Sequence, residues 1–87
     1  MIVSSETQSI RIRLFARYAE LLGRDAFEIA AAGIASVADV VAAVRALPGG
    51  AALPLQPLAA VNLEQAPPEH PVRAGDEVAL LPPLAGG

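Results

Sequence analysis

Two glycines, Gly86 and Gly87, end the chain and place a carboxylate on a tip that carries no side chains. A carboxylate does not react with nucleophiles at neutral pH, so acyl chemistry here requires its conversion to a mixed anhydride with a nucleotide phosphate. A sulfur nucleophile can then attack the carbonyl and give a thiocarboxylate, which ionises readily and can pass its sulfur on. A frayed terminus is the alternative interpretation of the same two residues, because chain ends are commonly disordered.

The residues that precede the two glycines favour the chemical interpretation. Pro82 and Pro83 favour an extended polyproline geometry at the base of a tail, and Leu84 and Ala85 continue it. Residues 82–87 reach roughly 20 Å when extended, which is long enough to insert the carboxylate into a pocket of another protein. Glycine at the tip would let the backbone approach the walls of that pocket closely.

The other candidate groups in the sequence do not form a catalytic set. His70, the single histidine, lies between Glu69 and Pro71 and lacks a positioned partner for general-base catalysis. Asp76 and Glu77 are adjacent, and adjacent strand residues point to opposite faces, so we interpret them as turn and surface residues. The chain contains no cysteine, so a thiolate nucleophile and cysteine metal ligands are excluded and any sulfur must come from outside.

Length and charge limit the class of protein. A chain of 87 residues corresponds to one domain, and 54% hydrophobic with 17% charged residues is typical of a folded one. The net charge of −3 and the absence of lysine argue against a nucleic-acid partner. Basic residues are concentrated in residues 1–24, so we expect the acidic remainder to favour a basic partner. No apolar run or signal sequence indicates a membrane, so we expect a cytoplasmic location.

The first elements that must position the tail are predicted from hydrophobic spacing. Alternating apolar and charged residues predict a strand over residues 9–15 with one buried face. Residues 16–22 contain good helix formers and precede Gly23, so they predict a short helix that ends there. A second strand is expected over residues 26–30 and should pair with the first.

The main helix is predicted to begin at Ser36, whose hydroxyl can cap the first turn together with Asp39. Apolar residues then recur at helical spacing as far as Leu47, and the Pro-Gly-Gly of residues 48–50 ends the helix. Residues 58–63 are largely apolar, which predicts a central strand that is buried on both faces.

The last part of the chain completes a recognisable order of elements. Closely spaced prolines allow only a short edge segment near Val72, and residues 77–81 predict the last strand. One main helix covering a single mixed sheet is an α+β arrangement, and a β-grasp, ubiquitin-like fold fits best. We therefore expect a flexible arm in residues 1–8, a β-grasp domain in residues 9–81 and a free extended tail in residues 82–87.

Three segments of the sequence together resemble the small subunit of molybdopterin synthase, in the ubiquitin-like sulfur-carrier family. They are Leu-Ala-Ala-Val-Asn at residues 58–62, Gly-Asp-Glu-Val at residues 75–78 and Leu-Pro-Pro-Leu-Ala-Gly-Gly at residues 81–87. Phe15 with Ala16, and residues 20–23, also match the opening segment of that family. The resemblance spans about residues 9–87, and the combination of motifs is specific although each piece alone is weak.

The resemblance implies a particular use of Gly87. A ubiquitin-activating-like enzyme would adenylate its carboxylate, and sulfur would then replace the nucleotide, so an acyl-adenylate and a thiocarboxylate are the expected covalent intermediates and no bound cofactor is expected. Pro82 to Gly86 would insert into the large subunit of molybdopterin synthase. There Gly87 would give its sulfur to a cyclic pyranopterin monophosphate. The large subunit would supply the catalytic side chains, and this chain would be a non-catalytic sulfur donor.

Two questions stay open at the level of sequence. Phe15 and Leu81 each end a predicted strand, so they could belong to the core or form an apolar docking patch beside the tail. Leu81 stands where the family often has an aromatic residue, so its contact there would be smaller. The alternative functions are a carrier for thiamin thiazole or another thiocarboxylate pathway, and a ubiquitin-like modifier or interaction module. Chain length and the Pro82-Pro83 pair favour the molybdopterin carrier over the thiazole carrier.

Overall fold

Residues 8–83 are described by a computed structural model of the protein. The predicted arm therefore lies outside the described residues except for Gln8, and so do residues 84–87 of the predicted tail. Along the chain the elements are β1 Ser9–Leu14, α1 Arg17–Leu22, β2 Ala26–Ala30, α2 Val37–Arg45, a 3₁₀ turn at Gly50–Ala52, β3 Leu58–Val61, β4 Glu64–Gln65 and β5 Glu77–Leu81. The bounds predicted for β2 and β5 are confirmed.

The five strands of the described chain form one mixed sheet in the order β2-β1-β5-β3-β4. β1 and β5 are parallel, and the remaining neighbours are antiparallel. The predicted pairing of the first two strands is confirmed, with Arg11 of β1 opposite Glu28 of β2. β5 follows all the other strands in sequence but lies in the middle of the sheet, where it is hydrogen-bonded on both sides.

α2 contributes its apolar side to the core of the sheet. The Ser36 hydroxyl accepts a hydrogen bond from the Asp39 N–H, and the Asp39 carboxylate accepts one from the Ser36 N–H, so the predicted capping box is confirmed. The four valines of α2 fall at helical spacing and are buried. Together with inward residues of three strands they form a single core: Val37, Val40, Val41, Val44, Ile10, Ile12, Leu14, Ala59, Val61, Val78 and Leu80.

Arg45 is the last residue of α2, and its side chain donates hydrogen bonds to the turn that follows the helix. Its Nε donates to the Leu53 carbonyl at 2.9 Å, and its Nη2 donates to the Ala51 carbonyl at 3.1 Å. Leu53 is held in the core by this arrangement and is 2% exposed. The sequence predicts that the helix continues to Leu47, but the Leu47 N–H bonds the carbonyl three residues back, at Val44, as in a 3₁₀ turn.

The prediction that residues 58–63 form a strand buried on both faces is wrong. β3 covers only Leu58–Val61, and its burial alternates, with Ala59 and Val61 in the core and Leu58 45% exposed. Asn62 and Leu63 follow it in a turn with positive φ angles of 51° and 76°. The chain then reverses into β4, which the sequence pattern does not predict and which pairs with β3. The sheet therefore has one face in the core and one open face.

Candidate functional site

The base of the predicted tail leaves the sheet from its central strand. β5 ends at Leu81, Pro82 is partly exposed and Pro83 is exposed. Four of the predicted site residues, Leu84, Ala85, Gly86 and Gly87, lie outside the described residues. β5 pairs with β1 on one side and β3 on the other, so the direction in which Pro82 departs is fixed by two ladders.

Phe15 and Leu81 both lie at the end of the sheet from which the tail departs. Leu14 of β1 is paired with Leu80 of β5, so the next residue of each strand, Phe15 and Leu81, follows at the same end. Phe15 is 40% exposed, and its ring centroid lies 5.5 Å from the guanidinium carbon of Arg13 on the open face. Of the two interpretations left open by the sequence, core burial therefore does not hold for Phe15, and Leu81 is only half-buried.

An apolar depression lies next to the base of the tail. Leu58 of β3 is the register partner of Leu81 and is 45% exposed on the same open face. The depression has a volume of about 210 Å³, and its lining is Leu58, Ala59, Ala60, Gln65, Leu81 and Pro82. We call Phe15, Leu58, Ala60, Leu81 and Pro82 the open-face patch. Exposed apolar surface of this kind is typical of a site at which another protein binds.

Charged residues border the open-face patch on the side away from the tail. The Glu77 carboxylate lies 3.7 Å from Arg11 Nε and 3.6 Å from Arg13 Nη1, so it is shared between two cations. Ser9 of β1 donates a hydrogen bond to Glu28 of the neighbouring strand β2 at 2.9 Å. Exposed pairs of this kind add little to stability, so their main effect is to orient the arginine side chains over the sheet.

Two of the motifs that carry the sequence resemblance meet at the opposite end of β5. Asn62 accepts a hydrogen bond from the Glu77 N–H at 3.0 Å and donates one to the Asp76 carboxylate at 3.1 Å. The Asn62 N–H also donates to the Glu77 carbonyl at 2.8 Å. We call this group the Asn62 clamp. It fixes the first residue of β5 against the end of β3, and therefore the register in which β5 runs to the tail.

The electrostatics of the clamp favour an ionised Asp76. The pKa of Asp76 lies below its ordinary value, first because the Arg73 backbone N–H donates to its carboxylate and second because Asn62 does. Asp76 thus has a structural role in the turn before β5, as the sequence indicates. His70 is exposed.

The geometry of the site is that of an exposed apolar surface beside the base of the predicted tail. Among residues 8–83 no group of histidine, cysteine, aspartate or glutamate side chains is arranged to hold a metal ion. Within the same residues, no helix is both long and apolar enough to cross a membrane. The features that stand out are the open-face patch, the arginines beside it and the double proline that begins the tail.

A mixed sheet with one main helix and a central last strand defines a ubiquitin-like β-grasp protein, as predicted. The model of the ThiS family matches residues 12–87, and the chain belongs to this family. It is 40% identical over 81 residues to the molybdopterin synthase sulfur carrier subunit of Escherichia coli (strain K12), an alignment that covers 90% of this chain and 99% of that protein. The resemblance found in the sequence motifs is therefore confirmed.

Solved structures show the same fold. The crystal structure of small archaeal modifier protein 1 from Haloferax volcanii has a TM-score of 0.72 and 30% identity, covering 87% of this chain and 98% of that one. Subunits 1 and 2 of molybdopterin-converting factor from Helicobacter pylori have been solved as a protein–protein complex. That structure matches with a TM-score of 0.65 and 21% identity, over 91% of this chain and 99% of that chain. At 21% identity, the likeness to the Helicobacter pylori structure shows the fold alone.

Proposed function

We propose that this chain is the sulfur carrier of a molybdopterin synthase and holds sulfur as a thiocarboxylate on Gly87. The observation that carries the proposal is the base of the tail, where the central strand ends in Pro82-Pro83 beside the exposed open-face patch. A binding surface next to a slim chain end suits a protein that docks on a partner and inserts its terminus. The name of the Escherichia coli relative, aligned over 99% of its length, supports the same function.

The chemistry requires activation because a carboxylate is a poor acyl donor. ATP would react with the Gly87 carboxylate on a ubiquitin-activating-like enzyme, forming an acyl-adenylate and releasing pyrophosphate. A sulfide-level nucleophile such as hydrosulfide would then attack the carbonyl carbon, and the bond to the phosphate would break with release of AMP and a proton. The product is a thiocarboxylate, whose sulfur would form a bond to a carbon of a cyclic pyranopterin monophosphate. Water would then cleave the bond between that sulfur and the Gly87 carbonyl carbon, which restores the carboxylate. The chain contains no cysteine, so a partner supplies the sulfur.

The open-face patch is the proposed docking surface for the large subunit. Phe15 and Leu81 lie at the end of the sheet where the tail begins, so a partner that covers them receives Pro82 and the residues that follow. The assembly of two subunits in the Helicobacter pylori protein supports a partner of this kind. The large subunit would hold the pterin and supply the catalytic side chains, while this chain would remain a sulfur donor. We place the loading of Gly87 with sulfur and the donation of that sulfur in the cytoplasm.

Intact-mass spectrometry tests the carrier function directly. The protein is incubated with the adenylating enzyme, ATP and a sulfide source, and the expected product is heavier by the difference between sulfur and oxygen. A variant that lacks Gly87 still ends in a carboxylate on glycine but is one residue shorter, so it controls for the reach of the tail. A wild-type chain that gains neither adenylate nor sulfur refutes the proposal, and pterin conversion with the large subunit identifies the pathway.

A second candidate function is a protein modifier. The observation that favours it is the 30% identity to small archaeal modifier protein 1 over 98% of that chain. In this case the activated Gly87 would be joined to lysine amines of other proteins, and this chain, which has no lysine, would not accept such a bond on its own side chains. Covalent adducts of higher mass with cellular proteins would favour the modifier, whereas a thiocarboxylate without adducts favours the carrier.

A further inference from the structure

We infer that Arg13 pairs with a carboxylate on the large subunit and determines which partner the open-face patch accepts. The inference rests on the proposed function, because it concerns the same docking surface. The open-face patch accounts for apolar contact only, and apolar contact discriminates weakly between partners. A charge held at its border would supply the discrimination.

Arg13 is built into the docking surface by its contact with Phe15. Its guanidinium carbon lies 5.5 Å from the centroid of the Phe15 ring, and its side chain is 42% exposed. A partner that covers the ring therefore also removes water from the guanidinium. The interaction of the cation with the ring orients Arg13 towards the patch before a partner arrives.

The surroundings of Arg13 leave its charge incompletely balanced. Its register partners on the two neighbouring strands are Ala26 and Ala79, neither of which carries a charge. Its ion pair is with Glu77, through Nη1 at 3.6 Å, and that carboxylate is shared with Arg11. Within residues 8–83 the Arg13 guanidinium makes no hydrogen bond, so most of its five N–H donors remain available to a partner.

Arg11 lies on the same face as Arg13, but its neighbours are acidic. Its register partners are Glu28 and Glu77, so acidic residues flank it on both neighbouring strands. It is two residues farther from the tail along β1, and its side chain is 56% exposed. No ring contact is formed by Arg11 among the described residues. The two arginines therefore share the anion Glu77 but differ in whether they belong to the docking surface.

Desolvation sets the requirement on the partner. A cation that is covered by a partner without a hydrogen-bonded counter-charge opposes binding, because it loses its hydration and gains nothing in return. A carboxylate on the partner removes that penalty and matches the planar guanidinium with two parallel hydrogen bonds. Partners that lack an acidic residue at this position, or that carry a basic one, would be rejected.

The test compares two charge reversals on the same face of β1, one beside the open-face patch and one farther from it. Arg13→Glu and Arg11→Glu change the net charge equally, and each removes one of the two cations that contact Glu77. The affinity of each variant for the purified large subunit is measured by calorimetry at low and high salt. We expect Arg13→Glu to weaken binding by at least about tenfold and Arg11→Glu by less than about threefold. Thermal unfolding of each variant establishes that both are folded.

A neutral variant, Arg13→Gln, covers the case in which the charge reversal disturbs the fold. We expect it to bind more weakly than the wild type and with a smaller dependence on salt, because one charge pair is missing. Equal affinities for Arg13→Glu and Arg11→Glu, or tighter binding by Arg13→Gln, overturn the inference. It is also overturned if Arg13→Glu slows only adenylation, since Arg13 would then serve the activating enzyme.

Failure of this inference is distinguishable from failure of the proposed function. If the wild-type chain binds the large subunit and acquires sulfur but the two charge reversals behave alike, only the role of Arg13 is wrong. If the wild-type chain neither binds the large subunit nor gains sulfur, the carrier function itself is wrong.

Discussion

Removal of the Asn62 side chain should destabilise the protein by about 2–3 kcal/mol. Asn62→Ala deletes the hydrogen bond accepted from the Glu77 N–H and the one donated to Asp76, each worth about 0.5–1 kcal/mol at exposed positions. It also forces alanine into a left-handed conformation at φ 51°, which costs about 1 kcal/mol more than asparagine there. Against a total of about 5–10 kcal/mol for a domain of this size, the loss is large.

Asn62→Gly separates the two contributions. Glycine adopts a positive φ without strain, so this variant should lose only the hydrogen bonds, or about 1–2 kcal/mol. Urea unfolding of the wild type and both variants gives the free energies from the transition midpoints. The reasoning is refuted if Asn62→Ala costs less than about 0.5 kcal/mol, or if glycine is at least as damaging as alanine.

The same variants should differ in their dependence on pH. The folded-state pKa of Asp76 is lowered from 3.8, so its stabilising contribution is complete above the unfolded pKa and is lost as the pH falls through the folded pKa. Part of the lowering comes from Asn62, so the stability gap between wild type and Asn62→Ala should narrow when unfolding is repeated near pH 3. Asp76→Asn, which cannot ionise, should abolish that narrowing.

Three other substitutions test how single side chains contribute to the stability of the fold. Arg45→Met keeps the apolar stem of the side chain but loses the hydrogen bonds to the Leu53 and Ala51 carbonyls, so the thermal midpoint should fall by an amount equivalent to about 1–2 kcal/mol. Ser36→Ala removes the cap on the Asp39 N–H and should cost about 1 kcal/mol in urea unfolding, with Ser36→Asn as a capping control that restores it. Tyr18→Phe should leave stability unchanged or raise it by up to about 1 kcal/mol, because the buried Tyr18 hydroxyl has no hydrogen-bond partner among residues 8–83; a large loss by calorimetry would contradict this.

The sequence predicts most elements of this fold because their patterns are local. The alternation that begins at Ile10 and the capping residues at Ser36 each mark an element within a few residues. The sequence predicts that β3 is buried on both faces because an apolar run looks the same whether its second face is covered or, as at Leu58, exposed. β4 escapes prediction because Glu64 and Gln65 have no strand pattern, and their pairing depends on the turn at Asn62 and Leu63.

The candidate site is only partly predictable for a related reason. Phe15 and Leu81 could be identified as strand ends, but the face on which each side chain lies depends on the register of β1 and β5. Charge sums along the sequence predict a basic partner, yet Arg13 from the basic segment lies beside the open-face patch. The parallel pairing brings the first strand next to the last. The net charge of a segment of the sequence therefore does not predict the charge of the surface on which its residues lie.

The central position of β5 has a mechanical consequence. If the tail inserts into a partner as proposed, its withdrawal would pull on Leu81 along the strand axis, and β5 is held by four registered pairs with β1 and four with β3. A force along the strand axis loads the hydrogen bonds of both ladders at the same time. A force applied at the end of a hairpin would instead break its hydrogen bonds one after another. A chain end anchored in this way should withstand repeated cycles of insertion and extraction without unravelling the domain that carries it.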